Sequence, residues 1–316
     1  MFHRSTRYSA VMLLVAALLL AACGGDDSGE AATFTAANAG ASTVTTTASP
    51  ADSGSASPYA ASYVLMNETY GTEVVVTVDG GVRTIESNGL PDHETGEFPN
   101  AGNPNAISAQ RYNYTLPADP DTAAGVTSYN IPQPFGIAVN GVVLDPFAAE
   151  WYQNDRNSGW QLAALANPLG FDQNNAHVQP SGAYHYHGAP TALLTTTGFP
   201  ELIGFAGDGF PIYGPYGYTD AADTTSGVRE LTGSYQLKSG ERPDGPGGAH
   251  DGTYVEDYEY REGSGDLDEC NGRDGVTAEY PEGSYYYVAT LEWPFLGRCF
   301  VGAIAGSFEL SGPPGR

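Results

Sequence analysis

Three of the six histidines fall within eleven positions, in the stretch 175–188 that reads NAHVQPSGAYHYHG. His185 and His187 are separated by one tyrosine. Side chains alternate faces along an extended strand, so these two imidazoles share a face while Tyr184 and Tyr186 take the other. Together with His177 they make a candidate mononuclear site for a divalent transition metal. Zinc, copper and iron all accept neutral imidazole, and a fourth position can be a carboxylate or a water. His93 and His250 are further candidate ligands, each beside an aspartate in a turn-rich loop. Asp208 lies between Gly207 and Gly209, a setting that lets a carboxylate reach a metal or act as a general base. Bland alternatives stand beside each of these. The histidines also fit a structural cluster among tyrosines or a metal-free acid–base pair with Asp208, and Asp208 also fits a turn that bonds its own backbone. Tyr213, Tyr216 and Tyr218 either pack or line a pocket that stacks on a sugar or aromatic ring.

The elements that must position these groups are short strands. Residues 73–79 (EVVVTVD), a Gly80-Gly81 turn and 82–85 read as a hairpin. Residues 87–105 are rich in turn formers and predict a long loop, the kind of segment that carries function in compact domains. A second hairpin is predicted around Asn140-Gly141. Asp145-Pro146 predicts an Asp-capped helical turn, and 160–166 another short helix before Pro168. Strands are further predicted at 234–237, 254–260, 283–291 and 299–304. With 41 glycines in 316 residues and few helical signals, the pattern predicts an all-β or β-rich fold. Its expected form is an antiparallel, sandwich-like core with long loops and a few short helices.

The N-terminus predicts export. Arg4 and Arg7 precede an apolar run too short to span a bilayer, and Leu20-Ala21-Ala22-Cys23 resembles a bacterial lipoprotein cleavage site. Residues 1–22 are thus expected to be removed and Cys23 lipidated, so that the only membrane contact is the anchor. Residues 23–58, mostly Gly, Ala, Ser, Thr and Asp, predict a disordered tether reaching roughly 30 Å. The remainder, 59–316, is expected to form the domain. Cys270 and Cys299 most simply form one disulfide in an exported protein. The formal net charge is -25, and loss of the signal leaves 10 basic against 37 acidic residues, or -27. Such acidity disfavours nucleic acid and anionic surfaces as partners and suits cations.

At 184–188, YHYHG, the sequence resembles the YHYH-domain family. Other blocks carry the likeness: 89–96 (GLPDHETG), 98–105 (FPNAGNPN), 139–142 (VNGV), 175–180 (NAHVQP), 204–217 (GFAGDGFPIYGPYG), 250–252 (HDG) and 267–273 (LDECNGR). The resemblance implies an exported or lipid-anchored protein of the cell envelope, and it names no chemistry. No nucleophile elbow, H-E-x-x-H helix, P-loop or dinucleotide fingerprint is present, which disfavours serine hydrolases, zincins, NTPases and Rossmann oxidoreductases. The acidic run 266–272 misses calcium-loop register and reads as a disulfide-pinned turn. Two functional classes follow: an enzyme using a histidine-held metal, or a non-catalytic surface binding or display module, with a small molecule or glycan as ligand, whose His/Tyr cluster is structural.

Overall fold

The computed structural model describes residues 32–36, 42–46, 56–194 and 199–309. The signal segment and Cys23 lie outside them. Among the described residues no helix is long and apolar enough to cross a membrane.

The first sheet is built from β1 (Ala32–Ala36), β2 (Ser42–Thr46), β3 (Tyr63–Asn67), β4 (Thr72–Asp79), β5 (Val82–Ser87) and β6 (Tyr112–Pro117), paired antiparallel in chain order. The predicted glycine turn joins β4 to β5, with Gly80 and Gly81 at φ 55° and 79°, the left-handed pair that a tight two-residue hairpin requires. β3 and β4 alternate buried and exposed residues, so one face packs and the other meets solvent. β1 and β2 fall in the stretch expected to be structureless. Their threonine-rich sequences supply little apolar volume, yet adding strands to a sheet edge satisfies backbone groups without it, and Val44 fills a buried position.

The second sheet carries the histidines. It comprises β8 (Gly136–Ala138), β9 (Val143–Leu144), β10 (Ala176–Val178), β11 (Tyr184–Tyr186), β12 (Leu202–Ala206), β13 (Pro211–Tyr213), β18 (Gly272–Gly275) and β19 (Ser284–Val288), in the spatial order β10-β11-β9-β8-β12-β13-β19-β18. The predicted Asn140-Gly141 turn joins β8 to β9, with Gly141 at φ 78°. The antiparallel, sandwich-like character expected of the core holds for most strand pairs, and two pairs within this sheet, β11 with β9 and β13 with β19, run parallel. Burial of β12 and β13 on both faces explains their continuous apolar sequences. Three small pairs complete the strands: β7 (Thr122–Ser128) with β20 (Cys299–Gly302), β14 (Tyr216–Tyr218) with β15 (Val228–Glu230), and β16 (Tyr235–Leu237) with β17 (Tyr258–Tyr260).

Leu65, Val74, Val76, Ile85 and Leu116 of the first sheet pack in one cluster with Ile137, Leu202, Phe205, Tyr213 and Val288 of the second. That is the sandwich-like layer. The guanidinium of Arg83 crosses it, stacked 3.7 Å from the Phe205 ring centroid and donating to the Ala60 carbonyl at 2.9 Å. A second cluster, including Phe135, Leu144, Val178, Tyr184, Tyr186, Tyr287 and Phe300, covers the other face of the second sheet.

The expected helices reduce to single 3-10 turns, among them Tyr152–Asn154, Arg156–Ser158 and Ala164–Ala166. Their backbone groups are spent at long range: Leu162 N–H donates to Glu150 and Ala163 N–H to Thr253, so no helical ladder can form. Asp145 accepts from the Phe147 N–H but starts no helix, and its side chain is buried against Tyr129.

Cys270 and Cys299 form the expected disulfide across 29 residues. Closing a loop of that length stabilises the fold by about 3.5 kcal/mol in the chain-entropy treatment. A Cys270→Ser, Cys299→Ser double variant is therefore expected to lose about that much in a denaturant titration, and an unchanged midpoint would contradict it.

Candidate metal centre

β10 and β11 pair with His177 directly opposite His185. His187 follows two positions later on the same face, and its backbone N–H donates to the Asn175 carbonyl at 2.8 Å, tying it to the β10 side. The hairpin thus gathers three rings from two turns of sequence. His187 Nε2 lies 2.9 Å from His185 Nε2 and 3.1 Å from His177 Nε2. A tetrahedral ion with 2.0–2.1 Å bonds to imidazole sets its nitrogens about 3.3 Å apart, so these separations need to open by only a few tenths of an ångström.

Proton positions sharpen the point. His177 Nδ1 is 2.9 Å from the Leu169 carbonyl and His185 Nδ1 is 3.2 Å from the Ala183 carbonyl. A carbonyl only accepts, so both Nδ1 atoms carry the proton and both Nε2 atoms present lone pairs. His187 Nε2 faces both lone pairs and can donate to one at most. If it does, its Nδ1 is a bare acceptor, and that atom is buried with no partner. A further proton is disfavoured: burial pushes His177 down, His185 down to about 3 and His187 well below the usual imidazole range, with the neighbouring imidazoles adding to the last two. Neutral rings with converging Nε2 atoms, two of them with Nδ1–H groups held by carbonyls, are a donor set that could hold a metal ion.

His185 and His187 are each 2 % exposed, while His177 is half-buried, so the cluster opens past His177. Phe171 stacks on His177 at 4.5 Å between ring centroids and meets His187 edge-on at 5.1 Å. Glu150 and Asp172 act on His177 through space. Among the described residues these three histidines are the group able to hold a metal ion, their ligand atoms lying within 4.8 Å of one another.

The other candidates are placed elsewhere. His93 sits behind the strand, its Nε2 2.6 Å from the Tyr186 hydroxyl. His250 bonds the Gly240 carbonyl through Nδ1 and lies near Trp160, 6.5 Å between centroids. Asp208 is a turn aspartate: Tyr287 Oη donates to it at 2.6 Å, Gly302 N–H at 3.0 Å and Phe210 N–H at 3.4 Å. Gly209 beside it has φ 93°, and a Cβ there would meet the Pro117 carbonyl at 2.5 Å, which is why glycine occupies the turn. Burial raises the Asp208 carboxyl above its usual range. Tyr213 is buried with its hydroxyl on Thr277 and Glu279, and Tyr216 and Tyr218 are half-buried in β14. In the acidic run, Asp266 is taken by Arg229, and Asp268 by Tyr285 and the Cys270 and Gly272 N–H groups. Sequence reasoning missed Leu169 and Phe171. A backbone carbonyl leaves no trace in residue type, although Gly170 between them, at φ 74° and against the backbone of 102–103, marks a tight turn.

Fold and site together define a β-rich protein whose mixed sheet gathers three imidazoles, two from a Tyr-His-Tyr-His segment and the third, His177, from the neighbouring strand. The chain belongs to the YHYH protein family, whose model matches residues 113–302. That span holds the three clustered histidines, His250, Asp208 and both disulfide cysteines, and it begins after His93. No curated protein and no solved structure matches the chain.

Proposed function

We propose that this protein is a lipid-anchored component of the cell envelope that holds one divalent transition metal on the Nε2 atoms of His177, His185 and His187. The observation that supports it is the proton accounting above: three neutral imidazoles converge with no arrangement of protons that satisfies them. Zinc, copper and iron fit the donor set. Once bound, such an ion supplies Lewis acidity at an open fourth position. The chain's own contribution is to keep the Nδ1 protons on the Leu169 and Ala183 carbonyls, to shield two of the rings, and to leave the side at His177 open to a water or substrate. Glu150 and Asp172 add negative potential there.

Elemental analysis of the mature protein, purified without a histidine tag, is expected to find one equivalent of a transition metal. A metal-free protein that also fails to take up zinc, copper or iron would sink the reading. The anchor is tested separately. Cys23→Ser is expected to move the protein from the membrane to the soluble fraction and abolish labelling by a fatty-acid analogue. Unchanged fractionation would remove the lipid from the proposal.

One feature favours the non-catalytic reading as a second possibility: a groove of about 620 Å³ lined by Leu237, Tyr258, Leu291, Trp293 and Phe295, with Glu230 and Glu292 also lining it. It shares no residue with the histidine cluster.

A further inference from the structure

The strand that carries His185 and runs on into His187 is only three residues long, so its rotation about its own axis is set by what grips each face. The face away from the cluster is gripped by a polar assembly whose members, from Asp92 to Tyr186, lie far apart in sequence. His93 Nδ1 lies 2.9 Å from the Glu94 carbonyl and therefore donates to it. That leaves His93 Nε2 to accept from the Tyr186 hydroxyl at 2.6 Å. Asn140, 1 % exposed, donates one amide hydrogen to the Tyr186 oxygen at 2.8 Å and the other to Asp92 at 3.0 Å. The Tyr186 hydroxyl thus donates once and accepts once, and its ring cannot turn without breaking both bonds.

Tyr184, the other residue on that face, donates to Asp172 at 2.7 Å. The same Asp172 oxygen accepts from Gly96 N–H at 3.0 Å, and Asn174 donates to the Glu94 carbonyl at 2.9 Å. The 92–96 loop is therefore stitched to the 172–174 turn. That turn follows directly on Leu169, whose carbonyl fixes His177, and Phe171, whose ring stacks on it.

We infer that the Asp92-His93-Glu94 loop, acting through Tyr186 and the 172–174 turn, is the positioning element of the metal centre, setting the angle at which all three imidazoles converge. This rests on the metal reading above. His93, which residue type alone offers as a ligand, serves instead as a positioning residue that holds the ligand strand from behind. Outer partners of this kind typically change metal affinity by about 10–100-fold when removed.

The test uses cobalt(II) as a spectroscopic stand-in, titrated into the metal-free mature protein. Wild type is compared with His93→Gln, Tyr186→Phe and Tyr213→Phe. The last removes an equally buried tyrosine hydroxyl, bonded to Thr277 and Glu279, that touches neither the loop nor the strand. His93→Gln and Tyr186→Phe are expected to bind cobalt about 10–100-fold more weakly and, at saturation, to show displaced d–d bands. Tyr213→Phe is expected to lower the melting temperature while keeping wild-type affinity and bands. A loss of folded protein alone scales the bands without moving them, so band position separates positioning from stability. Because His93 is only half-buried, its variant tests the idea even if Tyr186→Phe does not fold. Wild-type affinity and bands in His93→Gln would overturn the inference. Absence of d–d bands in wild type would instead overturn the metal reading beneath it.

Discussion

His187→Ala is expected to abolish stable metal binding and, at the same time, to leave the metal-free protein only slightly less stable than wild type. The two halves come from one geometry. His187 Nε2 is the atom that approaches both other rings, at 2.9 and 3.1 Å, so its loss leaves a two-ligand remnant. A loss of at least about 100-fold in affinity, the upper end of what outer partners alone cost, is the minimum expected. Without metal, the same side chain buries an Nδ1 that has no partner and faces two lone pairs. Removing an unsatisfied buried polar group offsets much of the cavity left by a lost side chain. Wild type in metal at 1,000 times Kd should gain about 4 kcal/mol, a gain absent from the variant. Melting curves of both proteins with and without zinc check this. A variant that still gains from zinc would rule out His187 as a ligand. A metal-free variant several kcal/mol less stable than wild type would mark the cluster as structural.

How much of this was legible in the sequence depends on the range of the interaction. The glycine hairpin at 80–81, the Asn140-Gly141 turn and the shared face of His185 and His187 follow from local rules, since period-two alternation and left-handed turn residues act over two to four positions, while the disulfide followed from two cysteines remaining in a chain expected to be exported. His177 opposite His185 required strand register, which their closeness in sequence suggests without fixing. The parallel pairs β9–β11 and β13–β19 were not legible, because parallel strands are joined through long connections whose length carries no register signal. The helical turn expected at Asp145-Pro146 is absent and the short helix expected at 160–166 shrinks to the 3-10 turn Ala164–Ala166 for a related reason: long-range partners took the backbone groups. Asp208, His93 and His250 share one lesson. Residue type identified polar groups that matter, but their roles depended on which hydroxyls and carbonyls the fold brought to them. The strands at 32–36 and 42–46 show that low apolar content does not preclude pairing at an existing edge.

Asp145→Asn is expected to match wild type in stability near pH 4 and to exceed it increasingly towards pH 8. Asp145 is 7 % exposed and its Oδ1 lies 2.6 Å from the Tyr129 hydroxyl oxygen, which is itself 2.5 Å from the Gln133 carbonyl. Tyr129 has one proton and two neighbours that both ask for it if Asp145 is ionised. A neutral Asp145 resolves the conflict: its O–H donates to Tyr129, and Tyr129 donates to Gln133. Burial, only partly opposed by the Tyr129 and Phe147 hydrogen bonds, raises this carboxyl to about 7. In the unfolded chain it ionises near the ordinary carboxyl value of 3.8. Between those two values the unfolded state releases the proton while the folded state keeps it. The stability tied to the neutral acid is therefore intact below about pH 4, falls as pH rises through about 7, and stays lost above that. A shift of about three units at about 1.4 kcal/mol each makes the full loss on the order of 4 kcal/mol. Asparagine reproduces the neutral acid, its amide donating to Tyr129 and its carbonyl replacing the other oxygen, and it does not titrate. Other buried carboxyls raised in the same direction, Asp208 and Glu256 among them, contribute equally to both proteins and cancel in the difference. Denaturant titrations of the pair from pH 4 to pH 8 check the claim. A difference that stays constant across that range would show that Asp145 is ionised in the folded protein throughout. Asp145 N–H also donates to the Tyr186 carbonyl at 2.8 Å, so this titrating carboxyl sits beside the end of β11.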